Sequence, residues 1–292
     1  MKKYEQFGEL LIDYRTFMQI SQADFAAQLQ VDPRTIQRWE RNETLIKPNK
    51  EPEIAEVTLF PYQVIRNLNS PDPIPTYYDL HLRKYALTEI GVEMPDADWF
   101  KDQLYKKTDR LMKIDFEKDF DYLIKYMGMH RNLNKNIKNV IQEGIKIVPE
   151  MNYILHDDSS YYAAHSIILP ITHEAYLKLR SNKLKDVDLE ISDIANYKLQ
   201  KIPIFLAFDV TADCNENFYH IINPSIHFLQ SLPNQEYIYC AIPYRHDNYE
   251  LTEKAGLKII WEDKFKNIER KGHFSRRFIE GNFTQFLNTP EH

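Results

Sequence analysis

The stretch PRTIQRWERN, residues 33–42, carries side chains whose types and spacing suit recognition of a polyanion. On a helix of about 100° per residue, Arg34, Gln37, Arg38 and Arg41 gather on one flank, and Ile36 and Trp39 point the other way. Guanidinium forks match phosphate oxygens and guanine edges alike. The plain alternative is the solvated face of a helical bundle. From Pro33 to Lys50 the bases Arg34, Arg38, Arg41, Lys47 and Lys50 face only two acids, Glu40 and Glu43, in a chain of formal charge −6. Any contact with nucleic acid must therefore come from this local patch and not from overall charge.

Other reactive side chains are more scattered. His156, Asp157 and Asp158 with His165 offer metal-binding atoms, but their spacing fits no zinc pattern, and a loop followed by a strand is the expectation. His220 and His227 are two helical turns apart, too far to share an ion. Cys214 and Cys240 lack a CxxC partner, which excludes a disulfide framework or a zinc cluster. Cys240 lies in an apolar stretch and reads as core. DKFKNIERKGHFSRRF (263–278) sets six Lys/Arg among aromatics. A solvated amphipathic tail is expected there, with contact to a DNA backbone or an acidic partner as the alternative.

At 292 residues and 43% hydrophobic content the chain suits two globular domains. No run of 18 apolar residues occurs, and MKKYEQFGELLIDY has no signal-peptide core, so a cytoplasmic protein without a membrane span is expected. Glycine is scarce, and the stretch from Ile145 to Ala255 has none.

Residues 4–18 show helical spacing of Phe7, Leu10, Leu11 and Tyr14. Ser21 has the chemistry of an N-cap with Asp24 three residues on, and Asp32-Pro33 opens the third helix. Phe25, Ala26, Leu29, Val31, Ile36 and Trp39 fall where the helix-turn-helix of the Cro and phage-repressor family has its apolar positions, and this stretch resembles that family. Trp39-Glu40-Arg41-Asn42 resembles its frequent Trp-Glu-x-Gly ending, with Asn42 able to take the left-handed conformation. Gln30 stands where the family's turn usually has glycine. The resemblance implies that Gln22 binds a phosphate, aided by Thr35 and Arg41, while Arg34 and Arg38 reach base edges beside Gln37. Pro33 offers only an apolar contact. Two copies on a two-fold-related double-stranded DNA site are expected.

Ile54, Val57, Tyr62, Val64, Ile65 and Leu68 predict two closing helices, and the three prolines of NSPDPIP (69–75) place a boundary near residue 70. TYYDLHLRKYAL is open between a helix and an extended connector. PDADWF (95–100) is expected to cap a helix running through 101–112. Beyond residue 114 helices and strands alternate, which argues for a mixed α/β sheet. Strands are expected at YYAAHSIILPI, KIPIFLAFDVT and QEYIYCAIP, helices at DFDYLIKYM, NKNIKNVIQEGI, THEAYLKLRSNKL and NPSIHFLQSL, and a helix, turn and strand at NYELTEKAGLKII.

That order, with LPITHEAYLKLRSN and EYIYCAIPYRHDNYELTEKAGLKII, resembles the GNAT superfamily of acyl-CoA-dependent N-acetyltransferases, Gly256-Leu257 standing for its Gly-Phe turn. The resemblance implies a pyrophosphate cradle after KIPIFLAFDVT. Residues 212–219 have no glycine and no base there, and Asp213 and Glu216 would repel phosphate. The position matching the family's tyrosine acid is Thr252, with Tyr249 one turn earlier.

The expectation is therefore a sequence-specific DNA-binding transcriptional regulator of α+β class. It comprises an all-α helix-turn-helix domain (1–70), a partly helical connector (71–113) and a mixed α/β GNAT-like domain (114–292). This last domain is read as catalytically degenerate, without cofactor, serving dimerisation or the sensing of a small-molecule effector. The alternative is an active N-acetyltransferase using acetyl-CoA. A third reading is an interaction protein whose first domain binds another protein.

Overall fold

Local chemistry sets the first helices of the computed structural model, which describes residues 1–89, 101–103, 106–129, 131–243, 249–267 and 272–288. Helix α1 (Phe7–Met18) buries Phe7, Leu10, Leu11 and Tyr14. Ser21 caps α2 (Gln22–Gln28): its Oγ accepts the Asp24 N–H, and the Asp24 carboxylate accepts the Ser21 N–H, both at 3.1 Å. Asp32 caps α3 (Pro33–Glu40), accepting the Arg34 N–H at 2.8 Å. The α2–α3 turn passes through Gln30 at φ 53°, the left-handed conformation that glycine adopts without a Cβ penalty. Asn42 is also left-handed, at φ 55°, and its Oδ1 accepts the Gly8 N–H at 2.9 Å. Gly8 makes this approach possible, because a Cβ there would lie 2.5 Å from the carbonyl oxygens of Trp39 and Glu40.

The chain forms two units: Met1–Glu93 with His156–Ala163 and Ala212–Cys214, and Met94–Leu155 with Ala164–Thr211 and Asn215–His292. The first unit corrects the expectation of an all-α domain. Helices α4 (Glu51–Thr58) and α5 (Tyr62–Leu68) follow α3, and then TYYDLHLRKYAL folds as a hairpin of β2 (Thr76–Asp79) and β3 (Lys84–Ala86). Strand β1 (Lys2–Tyr4) joins β2 in an antiparallel, three-stranded sheet, pairing Lys2 with Tyr78 and Tyr4 with Thr76. Phe60 gathers the rings of Phe7, Tyr14 and Tyr78 edge-on at 6.1, 5.3 and 5.7 Å.

The second unit holds most of a seven-stranded sheet of order β4-β5-β6-β7-β8-β10-β9. Its strands are β4 (Leu111–Lys113), β5 (Tyr153–His156), β6 (Tyr162–Pro170), β7 (Ile204–Ala212), β8 (Ile238–Ala241), β9 (Leu257–Asn267) and β10 (Gly272–Gly281). β7 and β8 are parallel, and the helix Asn215–Ser231 connects them, with Pro224 inside it. Tyr219, Ile222, Ile226 and Leu229 of that helix pack with Phe205, Tyr239 and Ile279 in the core. A strand, β4, stands at the end of the helix expected through 101–112; residues 95–100 lie outside the described residues. The described part of 263–278 is not a solvated tail. It contributes to the β9–β10 hairpin, in which Arg277 is buried and Arg276 Nη2 donates to Asp263 at 2.8 Å.

Candidate functional site

β7 is the middle strand of the sheet, yet only its first half is treated as one. Ile204, Phe205, Leu206 and Phe208 are buried, whereas Asp209, Val210 and Thr211 are only partly buried. A strand covered on both faces and flanked on both edges should be buried throughout. Two features explain the opening. Pairing with β8 runs only from Ile204↔Ile238 to Ala207↔Ala241, so β7 continues past its parallel neighbour. On the other edge the register with β6 slips. Hydrogen bonds join Ile171 N–H to the Ile204 carbonyl and Asp213 N–H to the Ala163 carbonyl. Between these bonds β6 advances eight residues and β7 nine, from the numbering of those partners. The extra residue is a bulge in β7, a device that re-aims side chains beside functional sites.

Polar groups collect where the strand opens. Asp209 Oδ2 pairs with His165 Nε2 of β6 at 2.8 Å, and its Oδ1 accepts from Arg131 Nη2 at 2.9 Å. Arg131 Nη1 donates to the Phe208 carbonyl at 2.8 Å and to Asp186 Oδ2 at 3.1 Å. The Tyr126 ring meets His165 edge-on at 5.4 Å, and its hydroxyl lies 3.4 Å from Thr211 Oγ1. Burial pushes the Asp186 carboxyl up, with the Arg131 charge pulling the other way. Four ionisable groups distant in sequence thus share one network with side chains 4–13% exposed. The sequence signal is slight: a histidine inside YAAHSIILP and an aspartate inside IFLAFDVT, each a charge-bearing group in an apolar strand.

In the first turn of the helix after β7 lies Asn217, whose Oδ1 accepts from Arg110 Nη2 at 3.2 Å. Arg110, from the segment before β4, thus stands beside residues 212–219, which carry no base of their own. Asn223, two turns on, donates to the Lys106 carbonyl at 3.3 Å. Burial holds His220 below the ordinary imidazole range, Glu216 opposing and Arg110 and Lys106 adding to the effect. For acyl-CoA the fit is divided. The open half of β7 presents an extended edge, a surface suited to an amide-bearing chain, and Arg110 adds charge at a helix N-terminus. Asp213 is buried, however, and Glu216 is exposed at 76% of its side chain. Thr252 is buried in place of a phenol, and the side chain of Tyr249 lies outside the described residues.

The other sequence-level candidates are dispersed. Arg34, Arg38 and Arg41 are exposed on α3, and Thr35 and Gln37 are half-buried. Arg41 lies 3.6 Å from Glu43. Gln22 turns inward, donating to Glu40 Oε2 at 2.6 Å, and Glu40 also receives Arg15 at 2.5 and 3.1 Å. The His156 ring packs on Tyr162 at 4.8 Å, and Asp157 closes a turn by accepting the N–H groups of Ser159 and Tyr161. No group of three or more metal-ligating side chains occurs among the described residues. Cys240 is fully buried, which pushes its thiol far above the usual range. No helix among the described residues is long and apolar enough to cross a membrane.

No protein-family model and no curated protein sequence matches the chain. Solved structures similar to it include Chaetomium thermophilum Naa20 in complex with a bisubstrate analogue, at TM-score 0.37 and 5% identity, covering 61% of this chain and 88% of that one. Arylalkylamine N-acetyltransferase 2 from Aedes aegypti is similar at TM-score 0.36 and 10% identity, covering 60% and 98%. The histone acetyltransferase HPA2 and related acetyltransferase from Corynebacterium glutamicum is similar at TM-score 0.30 and 9% identity, covering 59% and 94%. The second and third are named as acetyltransferases. The expectation of a sequence-specific transcriptional regulator with a degenerate second domain has no counterpart among these structures.

Proposed function

We propose that the seven-stranded unit transfers an acyl group from acyl-CoA to an amine. The observation that carries this reading is the half-open middle strand: β7 outruns β8, bulges against β6, and leaves Asp209, Val210 and Thr211 partly exposed. In α/β sheets, ligands gather outside the carboxyl ends of the strands, where the topology changes. Here β7 has an antiparallel contact on one edge and a parallel neighbour on the other.

In this chemistry the amine nitrogen attacks the thioester carbonyl, the nitrogen gives up a proton, and the C–S bond breaks to release the CoA thiol. Asp209 on that stretch, paired with the buried His165 of β6, is an ionisable acceptor. A buried threonine at position 252 leaves the departing sulfur without a phenolic acid from that position. A thiol of pKa about 8.5 departs as a thiolate without strong acid assistance, so the missing phenol lowers the rate without abolishing the reaction.

Titration calorimetry with acetyl-CoA, followed by a thiol-release assay on a panel of primary amines, tests the proposal. Saturable binding at micromolar concentration and amine-dependent release of thiol are expected. Absence of binding heat together with absence of thiol release across the panel would overturn it.

A further inference from the structure

We propose that Arg131 is a positioning residue: anchored by Asp186, it sets the bulge of β7 and so aims the strand's open half. The inference about aim stands on the geometry; its consequence for catalysis rests on the acyl-transfer reading above.

The argument starts from what a bulge costs. An extra residue in a strand breaks the ladder and leaves backbone groups without their usual partner. Within the span of β7 that holds the extra residue, the Phe208 carbonyl accepts Arg131 Nη1 at 2.8 Å. The same guanidinium holds the next residue's carboxylate through Nη2 at 2.9 Å. One planar fork therefore fixes a main-chain and a side-chain oxygen of consecutive residues. This geometry suits arginine, whereas lysine offers a single point charge. The Phe208 ring completes the grip, 5.2 Å from the guanidinium carbon.

A clamp works only if it is itself held. Arg131 continues the last turn of the helix Phe120–Gly128, its N–H donating to the Met127 carbonyl at 3.1 Å. From the other side Asp186, 3% exposed in the short turn Asp186–Asp188, takes Nη1 at 3.1 Å. Two carboxylates flank one guanidinium, and His165 engages the far oxygen of Asp209. The network joins a helix end, a turn, β6 and β7 where β7 separates from β8. A well-packed strand of this kind needs no such device in its first half, where Leu206 and Ala207 pair with Cys240 and Ala241.

The test compares the full-length parent with Arg131→Lys by hydrogen exchange. Amides of Asp209, Val210 and Thr211 should exchange at least about tenfold faster in the variant, with those of Phe205 and Leu206 unchanged, because only the clamped half loosens. Equal rates at Asp209–Thr211 overturn the proposal. In the acetyl-transfer assay kcat should fall on the order of 10²-fold, the effect of a small misplacement, with the acetyl-CoA Kd within about threefold of the parent because uniform binding is untouched. A variant that loses stability while keeping kcat also overturns it, since that is the signature of a structural role alone. If Arg131→Lys does not fold, Asp186→Asn removes only the anchor and carries the same expectations in smaller measure. Should the parent itself neither bind nor turn over acetyl-CoA, the functional reading fails, and the exchange measurement still decides the clamp.

Discussion

Glu40 is the hub of the first unit, and removing its carboxylate gives a sharp measure of how that unit is held. Its side chain is 5% exposed and receives Arg15 Nε at 2.5 Å, Arg15 Nη2 at 3.1 Å and Gln22 Nε2 at 2.6 Å. In Glu40→Ala the guanidinium keeps only the Ile20 carbonyl at 3.1 Å. Breaking one side of a buried ion pair costs about 3–5 kcal/mol. Arg15 is 18% exposed and recovers some hydration, which argues for the lower end, about 3 kcal/mol. With a urea slope of roughly 2 kcal/mol per molar, the midpoint should fall by about 1.5 M. Trp39, buried beside Glu40, reports the transition by fluorescence in a background carrying Trp99→Phe and Trp261→Phe. Glu43 provides the control. Its contact with Arg41 is 3.6 Å long and exposed on both sides, so Glu43→Ala should cost under about 0.5 kcal/mol. Equal midpoints for Glu40→Ala and Glu43→Ala would refute the claim that burial and bidentate geometry make the difference.

Three further outcomes are expected. Gly8→Ala forces a methyl against two carbonyls of α3 and should destabilise the first unit by about 1–3 kcal/mol, read as a lower urea midpoint. Gln30→Gly relieves a left-handed residue on an exposed turn and should stabilise by up to about 1 kcal/mol, read as a higher melting temperature. His220 has a folded pKa below its unfolded value of 6.5, so the unfolded chain binds the proton more readily. Its contribution is complete above pH 6.5 and is lost as pH falls toward the folded pKa. His220→Gln should flatten that part of the stability–pH curve, and an unchanged slope would show that another group sets it.

The helices are legible because their signals are local. Ser21 with Asp24, and Asp32 with Pro33, announce α2 and α3 within a few residues, and the structure contains both caps. Strand β1 is not legible: KKY is three residues, two of them lysine, and its partner lies more than seventy positions on, at Thr76–Tyr78. The start of β9 is legible in GLKII, but the rest of that strand and β10 hide behind their charge, which masks apolar residues such as Trp261 and Phe278. In the site, the apolar cores of β6, β7 and β8 are readable as strands. Arg131 and Asp186 lie in polar connections whose composition says nothing of their partners. The bulge is a difference between two registers and leaves no trace in residue types. The base that meets the helix after β7 is invisible in residues 212–219, because Arg110 reaches Asn217 across more than a hundred residues.

The order of the large sheet has a consequence for how copies of this chain meet in a crowded solution. One margin is β4, too short to template a neighbour. The opposite margin is β9, long enough to recruit another strand but carrying Lys258, Glu262 and Asp263. Charges on an outermost strand make fibrous stacking unfavourable, so among the described residues neither margin of the sheet invites a second copy.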